Sequence, residues 1–283
     1  MRAALALLLL AVSCSKPADP AGAGPTKTFT DSRGKAVTIP WPPKRIVSTV
    51  PSLTEMLYDV GAGDQIVGVT TYCVYPPEAA RKPKVGSINV DYEALAGLKP
   101  DLIATSVAVA HRSALELESQ GYRVFSVDPH TVAEIASSLR LLGAVTGHEA
   151  EAERAASAFE ARVKAATRPP GPTVYFEHSG DPLGTAGPQT YIGDMIRLAG
   201  GRNIFEGGWK LINWESVMAA DPEVILIAHL RTESLERRAG WKDLKAVKAG
   251  RVYFVSKEHY LFPTPRLADG MEEAARLIHE KNP

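Results

Sequence analysis

Apolar residues come in short, unbroken runs along this chain, separated by longer stretches of helical character. Arg45–Val50 (RIVSTV), Ile66–Val69, Asp101–Ala104 and Val124–Val127 predict buried strands, since each run is too short for a core helix. Between them Ser52–Val60 predicts a helix. Ser52 stands as its N-cap with Glu55 three positions on, the spacing of a capping box, and Gly61 closes it. Val132–Ala144 predicts another. His148–Thr167 (HEAEAERAASAFEARVKAAT) has no Pro or Gly and is crowded with Ala, Glu and Arg, so it predicts a strong helix about 30 Å long. Arg168-Pro169-Pro170-Gly171-Pro172 stops it, and strands resume at Thr173 (TVYFEH), Val224–Ala228 and Arg251–Val255. Strands alternating with helices mean βαβ units and mainly parallel sheets. The expected organisation is an α/β lobe over 28–147, a connecting helix over 148–168 and a second α/β lobe over 169–283. A single crossing helix leaves little hinge freedom.

An internal echo is the most informative feature. Asp91-Tyr92-Glu93-Ala94-Leu95 through Asp101-Leu102-Ile103 lines up without gaps on Asn213-Trp214-Glu215-Ser216-Val217 through Glu223-Val224-Ile225. Each copy carries an Asp or Asn cap, an aromatic, a Glu, a short helix, a Pro stop and a buried strand. Glu93 and Glu215 are thus equivalent acidic points, one per half. Each also has an ordinary reason to be there, because a helix dipole favours a carboxylate in the first turn by ~0.5 kcal/mol. A weaker echo links Glu55-Met56-Leu57 to Asp194-Met195-Ile196, each helix closing on glycines. The first half is longer between its two echoes. The extra residues hold Thr70–Glu78 (TTYCVYPPE), a loop at a strand's carboxyl end, where open α/β sheets bind ligands.

The amino terminus stands apart from this pattern. Met1-Arg2 is followed by the apolar run Ala3–Val12, whose ten helical residues reach ~15 Å against a ~30 Å hydrocarbon core. That predicts a signal peptide over 1–14 and no membrane span. Ala11-Val12-Ser13-Cys14 resembles a bacterial lipobox, with Ala11 where Leu is usual, so lipidation at Cys14 is expected; plain secretion is the alternative. Ser15–Lys27 is rich in Pro, Ala and Gly and reads as a flexible tether.

Composition narrows the function classes. The 283 residues carry 32 Lys+Arg against 32 Asp+Glu, so no net basic charge points to nucleic acid. Apolar content of 45% and the lack of a short period exclude disordered and fibrous classes. Two cysteines make neither a disulfide scaffold nor a four-thiolate metal site.

The residues resemble the periplasmic substrate-binding proteins of ABC importers, in the single-helix-linked class that carries cobalamin, iron-siderophores and haem. The resemblance runs from Phe29 to nearly the end of the chain. It rests on Pro43-Lys44-Arg45-Ile46-Val47, Pro51-Ser52-Leu53-Thr54-Glu55, Gly61-Ala62-Gly63-Asp64 and Leu98-Lys99-Pro100-Asp101-Leu102. It continues in Ala199-Gly200-Gly201-Arg202-Asn203-Ile204-Phe205, Gly250-Arg251-Val252-Tyr253 and Pro263-Thr264-Pro265-Arg266. Tyr72-Cys73-Val74-Tyr75-Pro76-Pro77 looks most like the cobalamin branch. The resemblance implies two Rossmann-like lobes, a ligand cleft between them and no resident cofactor. It further implies that Glu93 and Glu215 dock a monomeric receptor on a dimeric permease that works with ATPase subunits. Tyr72 and Trp209 are the expected flat faces for a corrinoid, with Glu258, His259 and Tyr260 meeting polar groups at its edge. Other pocket aromatics of the cobalamin branch have no match here: Ser87-Ile88-Asn89, Ser106, His178 and Gly184 occupy their places.

Other readings stay open. Tyr72 as an iron ligand would make the cargo haem, and a ferric siderophore is a further alternative. His111, His178, His229 and His259 show no metal-ligand spacing, and Cys73 reads as a buried small hydrophobe. An extracytoplasmic enzyme is the rival from another class, but no nucleophile elbow or phosphate loop is present, and no catalytic role is expected.

Overall fold

The computed structural model describes residues 24–87, 89–229 and 235–280. The expected leader, Cys14 and most of the tether lie outside these residues. The first strands, β1 (Thr26–Thr30) and β2 (Ala36–Pro40), form an antiparallel hairpin. Then come β3 (Ile46–Ser48), α1 (Pro51–Asp59), β4 (Ile66–Val69), α2 (Pro77–Ala80), α3 (Tyr92–Leu98), β5 (Leu102–Thr105), α4 (Val107–Ser119), β6 (Val124–Ser126) and α5 (Val132–Thr146). Helix α6 (Glu149–Ala166) follows. Beyond it lie β7 (Thr173–Glu177), β8 (Ser179–Gly180), β9 (Leu183–Ala186), α7 (Tyr191–Leu198), β10 (Arg202–Asn203), β11 (Trp209–Leu211), α8 (Trp214–Ala220) and β12 (Val224–Ile227). The chain closes with α9 (Lys245–Lys248), β13 (Val252–Phe254), α10 (Lys257–Tyr260) and α11 (Leu267–His279).

The sheets show the duplication directly. One has the order β4-β3-β5-β6 and the other β10-β7-β12-β13, both wholly parallel. Numbered within its own sheet, each is 2-1-3-4, so the fold is α/β with two lobes of one topology. The main echo is equally literal. Helices α3 and α8 both span seven residues; Asp91 caps one through the Ala94 N–H and Asn213 caps the other through the Ser216 N–H. Both stop on a left-handed residue, Lys99 (φ 46°) and Asp221 (φ 42°). A carboxylate then staples each lobe's first strand. Asp101 accepts from the Lys44 and Arg45 N–H groups at 2.8 and 3.0 Å, and Glu223 accepts from the Thr173 N–H at 2.8 Å.

Period-two alternation packs both faces of each sheet. Leu102 and Ala104 of β5, like Val224 and Leu226 of β12, face one common core, while Ile103 on the one side and Ile225 and Ile227 on the other enter separate outer clusters. The common core contains residues of α1 and α5 from the first lobe and of α7 and α11 from the second, gathered around Ala152, Ala156 and Phe159 of α6. Gly143 brings α5 onto α6: a Cβ there would stand 2.2 Å from that of Ala152. On the solvent side Arg140 of α5 forks onto Glu153 and Glu160 of α6, and Arg162 of α6 joins Asp269 and Glu272 of α11. The connecting helix is therefore welded to both lobes along its length.

One local expectation fails. Helix α1 starts at Pro51, a residue favoured in the first turn, with Val50 as N-cap and no side-chain cap. Ser52 and Glu55 form no capping box. Glu55 is instead 4% exposed and pairs with Arg266 from the far end of the chain, at 2.6 and 2.9 Å.

Candidate functional site

Strand order 2-1-3-4 places the switch point between the first and third strands of each parallel sheet, β3 and β5 in one and β7 and β12 in the other, at their carboxyl ends. In the first lobe the Thr49 hydroxyl donates to Thr105 at 2.7 Å across this point. Asp128, just past β6, accepts from the Ser106 and Ser126 hydroxyls and from the Val107 N–H, and so caps α4 from outside. In the second lobe the switch point holds Glu177, which is fully buried. Its carboxylate accepts two bonds from Arg238 (2.7 and 2.9 Å) and one from the Tyr175 hydroxyl (2.9 Å), and lies 2.7 Å from His229 Nε2. Burial and then the neighbouring His229 push the adjacent His178 imidazole below its usual value, against an opposing pull from Glu177. Ring His178 is therefore neutral at pH 7. Sequence reading missed the Glu177–Arg238 pair as a site; the visible signal was an acidic residue ending a buried strand (TVYFE).

Large exposed apolar side chains gather at the same ends. Tyr72, Val74 and Tyr75 stand in the loop after β4, Val109 in the first turn of α4, and Phe254 at the end of β13. Trp209 and Leu211 lie on β11, which pairs with β9 of the small antiparallel sheet inserted after β7. Tyr72 is 56% exposed and Trp209 48%. Trp209 is held edge-on by the rings of His178 and Tyr191, at 5.1 and 5.9 Å. The Tyr72 loop is pinned by Lys84 Nζ, which donates to the Cys73 and Ala79 carbonyls at 3.4 and 3.3 Å, and by a 3.2 Å contact between Thr70 and the buried Cys73. A flat aromatic face thus stands at the carboxyl end of each lobe.

Of the second-lobe polar residues, Glu258 and His259 are half-buried on α10, directly after β13. Burial raises the Glu258 carboxyl, but its own backbone N–H, the Ser256 hydroxyl (3.0 Å) and the charges of Lys257 and Arg266 outweigh this and leave it below its usual range. His259 Nε2 lies 4.0 Å from Asp269. Tyr260 must be withdrawn from the ligand-facing set. It is fully buried, stacked on Phe176 at 6.0 Å, because the short α10 turns it inward beneath α11, where Gly270 permits the close approach. Glu93 and Glu215 are exposed, each the second residue of its helix. Both helices run back to the amino ends of their strands, so their first turns share the carboxyl-end side of the sheets. Among the described residues, no group of three His, Cys, Asp or Glu is placed to hold a metal ion, and no helix is long and apolar enough to cross a membrane.

Known proteins agree with this geometry. Residues 46–258 match the periplasmic binding protein family. Over 97% of its length the chain is 31% identical to an uncharacterised ABC transporter substrate-binding lipoprotein, YvrC of Bacillus subtilis, covering 95% of that protein. Two solved structures are similar. The vitamin B12 binding protein BtuF of Vibrio cholerae has a TM-score of 0.73 at 26% identity, covering 84% of this chain and 97% of that one. The heme-binding protein RhuT from Roseiflexus sp. RS-1 has a TM-score of 0.72 at 25% identity, covering 85% and 99%. With its duplicated 2-1-3-4 sheets, its single welded helix and this match across three quarters of its length, the chain belongs to the periplasmic binding protein family, among the substrate-binding proteins that serve ABC importers.

Proposed function

We propose that the protein captures cobalamin or a related corrinoid in the cleft between its lobes and delivers it to a dimeric permease with ATPase subunits. The observation that carries this reading is the pair of half-exposed aromatic faces, Tyr72 and Trp209, one at the carboxyl end of each lobe. A large flat ring system covers such faces more fully than a compact ion or sugar would, and aromatic stacking adds to the area it buries. Glu258 and His259 supply polar contacts at the rim. The relatives whose names specify vitamin B12 support the corrinoid assignment.

Haem is the second reading, supported by the exposed Tyr72 phenol and by the likeness to RhuT. Absorbance titration of the purified protein with cyanocobalamin, haemin and ferric siderophores tests both. Haem ligated by Tyr72 shifts the absorbance spectrum, and the shift disappears in Tyr72→Ala; a corrinoid binds without that signature. A protein that binds none of the three would overturn the reading.

Delivery rests on Glu93 and Glu215 as matched acidic points for a two-fold partner. Anchoring rests on Cys14, as the lipoprotein name of YvrC supports. Metabolic labelling with a fatty acid, lost in Cys14→Ser, is the expected result for a lipid-anchored receptor outside the cytoplasm.

A further inference from the structure

The weaker echo in the sequence aligns Glu55 of α1 with Asp194 of α7, and the structure gives both the same task. Each crosses to the opposite lobe and meets the start of that lobe's last helix. Glu55 reaches Arg266, the N-cap of α11, while Asp194 accepts from the Val132 N–H at the start of α5, at 2.9 Å. The lobes are therefore cross-tied twice about a quasi-two-fold. The ties differ in what lies beyond them. Asp194 is otherwise engaged by Arg197 of its own helix. Arg266 continues outward, and its guanidinium stacks over the ring of Tyr75 at 4.0 Å, in the loop that carries Tyr72.

We infer that Arg266 is a positioning residue, supplied by the second lobe, that holds the first lobe's Tyr72–Tyr75 loop in its ligand-facing conformation. The guanidinium suits the task because one face stacks on an aromatic while its edge forks onto a carboxylate. Glu55 is almost fully buried, so it fixes Arg266 in place before any ligand arrives. Thr71, Cys73 and Val74 donate backbone N–H bonds to Gly86, Thr70 and Tyr72, so the loop has ordered amides whose opening can be read. Unsupported, the loop would keep Lys84 beneath it and lose its outer wall.

The test is amide hydrogen exchange of the unliganded full chain over residues 71–75, joined to titration with cyanocobalamin and haemin. Tyr75→Leu removes the stacking and leaves the Glu55–Arg266 pair intact. It is expected to speed loop exchange about fivefold, the scale of one cation–π contact, with the β8–β9 hairpin unchanged. Tyr75→Phe keeps the ring and restores wild-type exchange. Removing Arg266 alone strands a buried carboxylate, so Arg266→Met is made together with Glu55→Gln. In that background Tyr75→Leu adds little, because the two side chains act as a unit. Wild-type loop exchange in folded Tyr75→Leu and in the double variant would overturn the inference. The affinity arm rests on the ligand reading above and expects binding to weaken in proportion to loop opening. A wild type that binds neither probe overturns that reading alone, and the exchange arm still decides this one.

Discussion

Trp209→Ala tests the ligand face most sharply. A tryptophan side chain presents about 250 Å² when fully accessible, and 48% of Trp209 is open, which leaves about 120 Å² for a ligand to cover. Covering all of it would contribute about 3 kcal/mol at 25 cal/mol/Å². A flat ring reaches only the face turned toward it, so about half, or 1.5 kcal/mol, is the working figure, equivalent to roughly a tenfold weaker Kd. Tyr72→Ala removes a comparable face from the other lobe, and the two losses should nearly add because the residues stand on separate lobes and meet only through the rigid ring of the ligand. The double variant is then expected about a hundredfold weaker. Absorbance titration with the cognate ligand gives each Kd, and thermal melting reports the fold. Truncating Trp209 also strips His178 and Tyr191 of a packing partner, so Tm falls modestly. Affinity within twofold of wild type in a folded Trp209→Ala protein would refute the stacking argument.

Three further expectations follow from the same geometry. Glu93→Ala with Glu215→Ala should leave ligand titrations unchanged and abolish uptake by cells carrying the permease; uptake at the wild-type rate would remove the docking role. Arg238→Met strips buried Glu177 of its guanidinium partner and leaves it only the Tyr175 hydroxyl and His229, which costs up to about 3–5 kcal/mol, and Arg238→Met with Glu177→Gln should recover much of it in denaturant melts. The His178 imidazole titrates below its unfolded value of about 6.5, so the unfolded chain binds more protons as the pH drops through that value. Stability should therefore fall on acidification from about 6.5 toward the lower folded value. His178→Phe should flatten that slope in melts run across the window.

All but β10 of the strands in the two parallel sheets were legible because each is a short apolar run, and the main echo was legible because an Asx cap and a Pro stop leave a local signature. What was missed is non-local or unpatterned. Strands β8, β9, β10 and β11 are only two to four residues long, too short to mark themselves by alternation. Ser52 and Glu55 have capping-box spacing, yet Pro51 shifts the helix start and Arg266, 211 positions away, claims the glutamate. Tyr260 follows a strand's carboxyl end as Glu258 and His259 do. Which of the three turns inward depends on where α11 lands, and adjacent letters in the chain do not encode that. Trp209 was found by resemblance; its support by His178 and Tyr191 is tertiary.

The core that passes through α6 governs how this protein can come into being. Because α1 and α5 share their apolar faces with α7 and α11, the first lobe has no complete interior until the final helix has been synthesised. The two lobes should melt in calorimetry as one cooperative transition. A ribosome-bound chain that has just finished α6 must wait, incompletely folded, for more than a hundred further residues. Were the leader expected over residues 1–14 an export signal, that delay would be useful, since a translocation channel threads polypeptide that has not yet closed its core.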